Sequence, residues 1–219
     1  MLVRGIMTKN VVTVSPHTTV GEAQRIMKEH GFRRLPVVDN GKLVGLVTEG
    51  RLEQIKPSVS ATPLLWQITN LISHTTVGDV MRKTVVTVKP TDTAEYAVAK
   101  AQANKVGTLV VVDEGKIVGV CTTNDFFYKI VNPTLGLGES GTRFLIMDAG
   151  TGPSAEKIIA AVNRLGVAIK IIWTSPSSTT AGRDLTLHLD TEDAKEVIAA
   201  IEKLGWKVYP RQRYETKPD

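Results

Sequence analysis

The sequence predicts a mixed α/β protein: two copies of one strand–helix–hairpin–helix unit, followed by a smaller domain of order βαββαβ. Three observations predict it. Shifting the chain by 74 positions lays VRGIMTKNVVTVSPHTTVGEA on VGDVMRKTVVTVKPTDTAEYA and LPVVDNGKLVGLVT on LVVVDEGKIVGVCT, with about 19 of 50 aligned positions identical. A repeat of this length marks a duplicated structural unit. Within each copy, short β-branched runs alternate with helical apolar spacing. After the glycine-rich stretch PTLGLGESG, the strand and helix pattern changes and no longer repeats.

Each element of the unit can be read in order. The runs Val11–Val14 and Val85–Val88 end at a proline and suit strands. Thr19-x-x-Glu22 is a capping-box pattern, and Asp92-x-x-Glu95 is read as its counterpart. Helical spacing then runs through Ala23, Ile26 and Met27, and through Ala94, Val98 and Ala101; Gly31 and Lys105–Gly107 close these helices. A hairpin follows: Leu35–Val38 and Leu109–Val112 turn at Asp39-Asn40-Gly41 and Asp113-Glu114-Gly115, and return as Leu43–Val47 and Ile117–Cys121. A last helix starts after Thr48 or Thr122. The strands are too continuously apolar for a sheet with one face in water, so two units packed together would share a core.

The chain has 219 residues, 42% hydrophobic and 22% charged, which fits a folded protein with room for more than one domain. No apolar run approaches the roughly 20 residues that span a bilayer, and MLVRGIMTKN lacks the apolar core of a secretory signal, so no membrane anchor or leader is expected. The single Cys121 cannot build a disulfide framework; it is read as a buried structural thiol, and a cytoplasmic location is expected. The net charge of +5 is dispersed, with only Arg33–Arg34 and Lys207–Lys217 locally basic. Such a balance fits a small anionic ligand better than nucleic acid. A nucleic-acid-binding regulator and a ligand-free dimerisation module remain the alternative readings.

Between the last strand and last helix of the second unit stands Gly119-Val-Cys-Thr122-Thr-Asn-Asp125. A glycine admits a close approach to the backbone. A threonine hydroxyl and free N–H groups at a helix start suit a phosphate, and a carboxylate three residues on can accept both hydroxyls of a ribose diol. The other reading is that Thr122 and Asp125 simply cap the helix.

The element order, the VVD-x-G-K-[LI]-VG motif, this Gly-h-h-Thr-x-x-Asp ending and the duplication resemble CBS domains, two of which form a Bateman module. The resemblance covers about residues 1–131. It implies clefts between the repeats that bind an adenine nucleotide (AMP, ADP, ATP, S-adenosylmethionine or an NAD-type ligand) as a regulatory ligand rather than a catalytic cofactor. Carried over, the second-unit cleft would use Thr122 and Asp125, with Thr84 and Val86 near the base and Gly107 and Thr108 completing its wall. The first unit reads Gly45-Leu-Val-Thr48-Glu-Gly-Arg51 and so departs from the pattern, since a guanidinium can hold phosphate but accepts nothing from a diol. Its cleft would rely on Thr48, Arg51 and Arg34, and the cleft with Asp125 is expected to bind better.

The domain reading is repeat 1 over 1–57, a helical connector over 58–76, repeat 2 over 77–132, a linker over 133–141, the smaller domain over 142–213 and a tail over 214–219. In the connector, Leu64, Leu65, Ile68, Leu71 and Ile72 share a helical face beside Trp66, with Thr62 or Ser60 as cap. The last third reads as strand Phe144–Met147, helix Ser154–Leu165, strand Val167–Trp173, a polar loop to Gly182, strand Leu185–Leu189, helix Glu192–Leu204 capped by Thr191, and strand Trp206–Tyr209, a ferredoxin-like order. The turn Asp148–Ser154 resembles the first loop of ACT domains, which implies a small-ligand loop at Gly150, Thr151 and Gly152, or a packing and dimerisation role. The whole arrangement resembles the acetoin-utilisation protein B group, which implies a metabolic regulator, a homodimer with an unidentified protein target. No catalytic residue and no metal set is expected. His17, His30, His74 and His188 are scattered, and Asp190, Glu192 and Asp193 read as an acidic first helical turn.

Overall fold

A computed structural model describes residues 1–54 and 75–211. The connector helix around Trp66 and the tail over 214–219 lie outside the described residues. The chain divides into two compact units, Met1–Ile130 and a second beginning at Val131.

The first unit holds both repeats. Repeat 1 runs α1 (Val3–Ile6), α2 (Val20–His30), β1 (Arg34–Asp39), β2 (Lys42–Thr48) and α3 (Glu49–Glu53). Repeat 2 runs α4 (Val77–Val80), β3 (Thr87–Val88), α5 (Ala94–Ala103), β4 (Thr108–Asp113), β5 (Lys116–Thr122) and α6 (Thr123–Phe126), which passes into a π-helical turn over Phe127–Val131. Thr19 caps α2, its hydroxyl accepting the Glu22 N–H at 3.2 Å, and Gly31 ends the helix in the left-handed region at φ 66°. Both hairpins are antiparallel and turn on two residues of positive φ, Asn40 and Gly41 or Glu114 and Gly115, as a twisted two-residue turn requires.

Three expectations need correction. The strand over Val11–Val14 shrinks to a single parallel bridge from Val14 to Val37, and Val85–Val88 to the two residues of β3. The second long helix is capped by Thr93, which accepts the Tyr96 N–H at 3.2 Å, while Asp92 accepts the Lys89 N–H in the preceding turn at 2.8 Å. Thr93, not Asp92, lies 74 residues after Thr19.

The third correction concerns the cores. Helix α1 packs into the repeat that it does not precede: Val3 and Ile6 are fully buried with Val88, Ala94, Leu109 and Cys121. Reciprocally, Val77 of α4 is buried with Val14, Val20, Leu35 and Leu52. Backbone bridges seal the exchange, Leu2 to Thr93 and Thr8 to Val120 on one side, Thr19 to Thr76 and Leu46 to Arg82 on the other. This exchange also accounts for Gly119. A Cβ there would collide with the Met7 sulfur of the incoming segment, as one on Gly45 would collide with Met81. The glycine therefore makes room for a methionine.

In the second unit α7 (Asn132–Thr134) leads to β6 (Thr142–Ile146), α8 (Gly152–Arg164), β7 (Ile169–Pro176), β8 (Arg183–Leu189), α9 (Lys195–Lys203) and β9 (Val208–Pro210). The sheet order β7-β8-β6-β9, all neighbours antiparallel, is the ferredoxin-like arrangement. Alternate residues Phe144, Ile146, Leu185, Leu187 and Leu189 face the core with Ile158, Val162, Val197 and Ile201 of the helices. Helix α9 starts later than expected. Its N-cap is Ala194, and Thr191 instead donates to the Asp193 carbonyl. The acids before it serve elsewhere: Asp190 pairs with Lys170 at 2.8 Å, and Glu192 accepts the Gly141 N–H at 2.7 Å.

The residues expected to form a free linker are bonded to the sheet's other face. Arg143 donates to the Thr134 carbonyl at 2.7 Å, Arg211 to the carbonyls of Leu135 and Gly136 at 3.2 and 2.8 Å, and His188 Nε2 is hydrogen-bonded to the Ser140 carbonyl at 2.9 Å. Glycine count signals chain freedom, but here the guanidinium groups supply donors that hold the backbone down.

Candidate functional site

The corner that carries Asp125 is built from the start of α6. Thr122 is the N-cap, and Asp125 Oδ2 accepts both its N–H at 2.8 Å and its hydroxyl at 2.7 Å, a capping box. Oδ1 accepts the Lys129 ammonium at 2.8 Å and the Thr8 hydroxyl at 3.3 Å. All four acceptor positions of the carboxylate are thus engaged. Lys129 reaches on to the Ile6 carbonyl at 2.6 Å, tying the corner to α1. Burial pushes the Asp125 pKa up, but hydrogen bonds from Lys129 and Thr122 outweigh it and hold the carboxyl below its ordinary value.

In front of this corner lies a cleft of about 650 Å³, lined among others by Thr8, Phe32, Arg33, Arg34, Thr122 and Asp125. Both repeats contribute. Arg33 and Arg34 enter from the head of β1, so Arg34 belongs to the cleft of Asp125 and not, as expected, to that of Arg51. The reason is the exchange of α1 and α4, which sets the head of β1 beside the end of β5. Gly107 stands behind Arg34: a Cβ there would come within 3.3 Å of the Arg34 Nη2 and the Thr123 hydroxyl. Thr108 is buried, with no partner for its hydroxyl among the described residues, and lines a separate 230 Å³ cavity with Leu109, Cys121 and Phe126. Thr84 and Val86 do not line the large cleft. Thr84 is exposed, and Val86 packs on the repeat 2 core while its carbonyl accepts the Val110 N–H at 3.1 Å.

The matching corner of repeat 1 is arranged differently. Thr48 caps α3 by accepting the Arg51 N–H at 3.4 Å, and Arg51 Nε donates to the Val80 carbonyl at 2.8 Å. Val80 lies 74 residues after Ile6. Arg51 therefore makes, from the position of Asp125, the bond that Lys129 makes in repeat 2. Neither Thr48 nor Arg51 lines the large cleft.

In the second unit the loop expected to take a ligand is closed on its own partners. Gly150 donates to the Arg183 carbonyl at 2.7 Å, and a Cβ on it would meet the Asp184 carbonyl at 2.7 Å. Thr151 bonds Ser154 at 3.1 Å, and Gly152 opens α8. Close packing thus explains Gly150. Among the described residues no group of acidic, histidine or cysteine side chains could hold a metal ion, and no helix is long and apolar enough to cross a membrane.

The CBS-domain family model matches residues 3–54 and 77–132. The chain carries a tandem CBS pair. An inosine-5′-monophosphate dehydrogenase of Methanocaldococcus jannaschii is 33% identical over 150 residues, which are 68% of this chain and 27% of the dehydrogenase. The chain spans about a quarter of the length of the curated relatives heading the comparison, at 27% and 25%. Among solved structures, a Vibrio cholerae protein assigned to acetoin utilization (AcuB) superposes with a TM-score of 0.52 at 28% identity, covering 64% of this chain and 97% of its own. The CBS pair of protein MJ0100, in complex with 5′-methylthioadenosine and S-adenosyl-L-methionine, superposes at 0.50 with 24% identity over 61% of this chain and 98% of its own, a likeness of fold. The CBS pair is a Bateman module.

Lys129 is the functional neighbour that sequence reading missed. Its signal was present, an i,i+4 acid–base pair with Asp125 on a helical segment.

Proposed function

We propose that the protein is a non-catalytic sensor that binds an adenine nucleotide in the cleft of Asp125 and passes the change to an unidentified protein target. The carrying observation is the composition of that cleft. Arg33 and Arg34 from one repeat face Thr122 and Asp125 from the other, so a ligand with a diol and phosphates would bridge the two. A bridging ligand that prefers one spacing of the repeats shifts their equilibrium by its differential affinity. Because Asp125 is saturated, the ligand must take Oδ1 from Thr8 or Lys129, which couples binding to the seat of α1.

Isothermal titration with AMP, ATP, NAD, S-adenosylmethionine and 5′-methylthioadenosine tests this reading; the last two are chosen because a CBS pair of the same fold holds them. Asp125→Ala is expected to weaken binding at least about tenfold, as loss of a charged hydrogen-bond acceptor does. Equal heats for both proteins would remove Asp125 from the site, and no heat with any of the five ends the sensor reading.

The expected homodimer draws support from Phe127 and Tyr128, exposed side by side on the π-helical turn at 53% and 63%. Light scattering of Phe127→Ser/Tyr128→Ser should show a monomer where the native protein is dimeric. The proposed cytoplasmic location rests on the cysteine count, since the single Cys121 can form no disulfide within the chain.

A further inference from the structure

The face of the ferredoxin-like sheet turned away from its helices carries charge that no described residue balances. Arg143 projects from β6 and is only 7% exposed. Arg211 follows β9, and its charge, after burial, pushes the Arg143 pKa down. Among the described residues no carboxylate forms an ion pair with either guanidinium. Their bonds to the carbonyls of Thr134, Leu135 and Gly136 satisfy some donors and leave the charge uncompensated. A buried cation without a counter-ion is strongly disfavoured, the more so beside a second one.

A cavity of about 340 Å³ opens at this place, lined among others by Arg143, Leu145, Trp173, Thr186, Tyr209 and Arg211. That volume lies in the range of small-ligand sites. The Arg143 guanidinium carbon stands 6.0 Å from the Trp173 ring centre, and the buried Trp173 Nε1 has no hydrogen-bond partner among the described residues. The acid on this face of β8, Asp184, is buried and accepts the Asp148 N–H at 3.0 Å. Among the described residues no carboxylate lines the cavity to receive an ammonium group.

We propose that this cavity binds a small organic anion, a carboxylate or phosphate on an aromatic or apolar body without an ammonium group, held between Arg143 and Arg211 with its body against Trp173 and Tyr209. The site is separate from the CBS cleft and from the Asp148–Ser154 loop, and it selects against zwitterionic amino acids.

The test uses the full chain with benzoate, phenyl phosphate and L-phenylalanine as probes, read by tryptophan fluorescence and by thermal unfolding. At least one of the two anions should change the emission saturably and raise Tm, and their ratio tells carboxylate from phosphate. Phenylalanine should do neither. Trp173→Phe should abolish the emission change, which excludes Trp66 and Trp206 as its source. Because Arg143 is buried and its loss threatens the fold, Arg211→Gln carries the main comparison, with affinity at least about tenfold weaker. Arg143→Lys, which keeps the charge, should lose less than Arg143→Gln. If neither anion acts through the millimolar range, if phenylalanine acts equally, or if Arg211→Gln responds like the native protein, the arginines only fasten the backbone over 134–136 and the proposal falls.

Discussion

Thr48–Arg51 and Thr122–Asp125 are one turn built twice, 74 residues apart, and they carry opposite charges at the fourth position. In both, a threonine caps a helix and a cation reaches the last carbonyl of the short helix exchanged from the other repeat. Repeat 1 does this with the residue at the fourth position, Arg51, bonding Val80. Repeat 2 moves the cation one helical turn on, to Lys129, which leaves the fourth position free for a carboxylate and supplies that carboxylate with its counter-charge. The comparison shows that Asp125 is first a structural group; on the proposed function, ligand binding would draw on a carboxylate already committed to the fold.

The comparison can be broken most severely at Asp125. Asp125→Ala removes the capping-box acceptor and strands the Lys129 ammonium, so urea unfolding should show a loss of about 2 kcal/mol. Lys129→Met comes next, with about 1–2 kcal/mol lost at neutral pH along with its bonds to Asp125 and Ile6. It should also alter the acid limb. The Asp125 carboxyl is lowered in the fold, so its contribution is complete above the ordinary carboxylate range and is lost as the pH falls through the lowered value. Without Lys129 the lowering shrinks, so that loss should be smaller and should be complete at a higher pH, and in Asp125→Asn the step should vanish from unfolding curves recorded against pH.

Arg51→Ala separates structure from binding. It should cost about 1 kcal/mol, because the Val80 carbonyl loses its donor, and leave nucleotide affinity in the Asp125 cleft within about twofold by titration. A fall like that of Asp125→Ala would mean the two corners are not functionally distinct. The smallest effect belongs to Thr8→Val, about 0.5 kcal/mol, since the Thr8 bond to Asp125 is long at 3.3 Å.

Local features were legible from sequence. The cap at Thr19, the hairpin turns at Asn40-Gly41 and Glu114-Gly115, and the order of strands and helices in the last third follow from residues within a few positions of one another. Asp92 was misread because aspartate and threonine both cap helices, and only the repeat offset singles out Thr93. Arg34 goes to the other cleft for a different reason. Its surroundings, like the Val80 carbonyl that Arg51 bonds, depend on α1 and α4 changing places, and no local pattern in Leu2–Thr8 or Thr76–Arg82 states which repeat receives them. The bond from Arg51 to Val80 spans 29 positions and the one from Lys129 to Ile6 spans 123. The glycines over 136–141 suggested freedom, and the donors that cancel it, Arg143, His188 and Arg211, lie in other elements.

The exchange of α1 and α4 also sets a schedule for the growing chain. Val3 and Ile6 leave the ribosome well before the residues that bury them, which include Leu109 and Cys121. At synthesis rates of about 5–20 residues per second, these apolar side chains stay uncovered for on the order of ten seconds. Repeat 1 closes earlier, once Val77 has emerged to fill the gap between Val20 and Leu52. During translation α1 is therefore seated later than the elements that follow it in repeat 1, and the half that carries Asp125 is completed only when α1 returns to it.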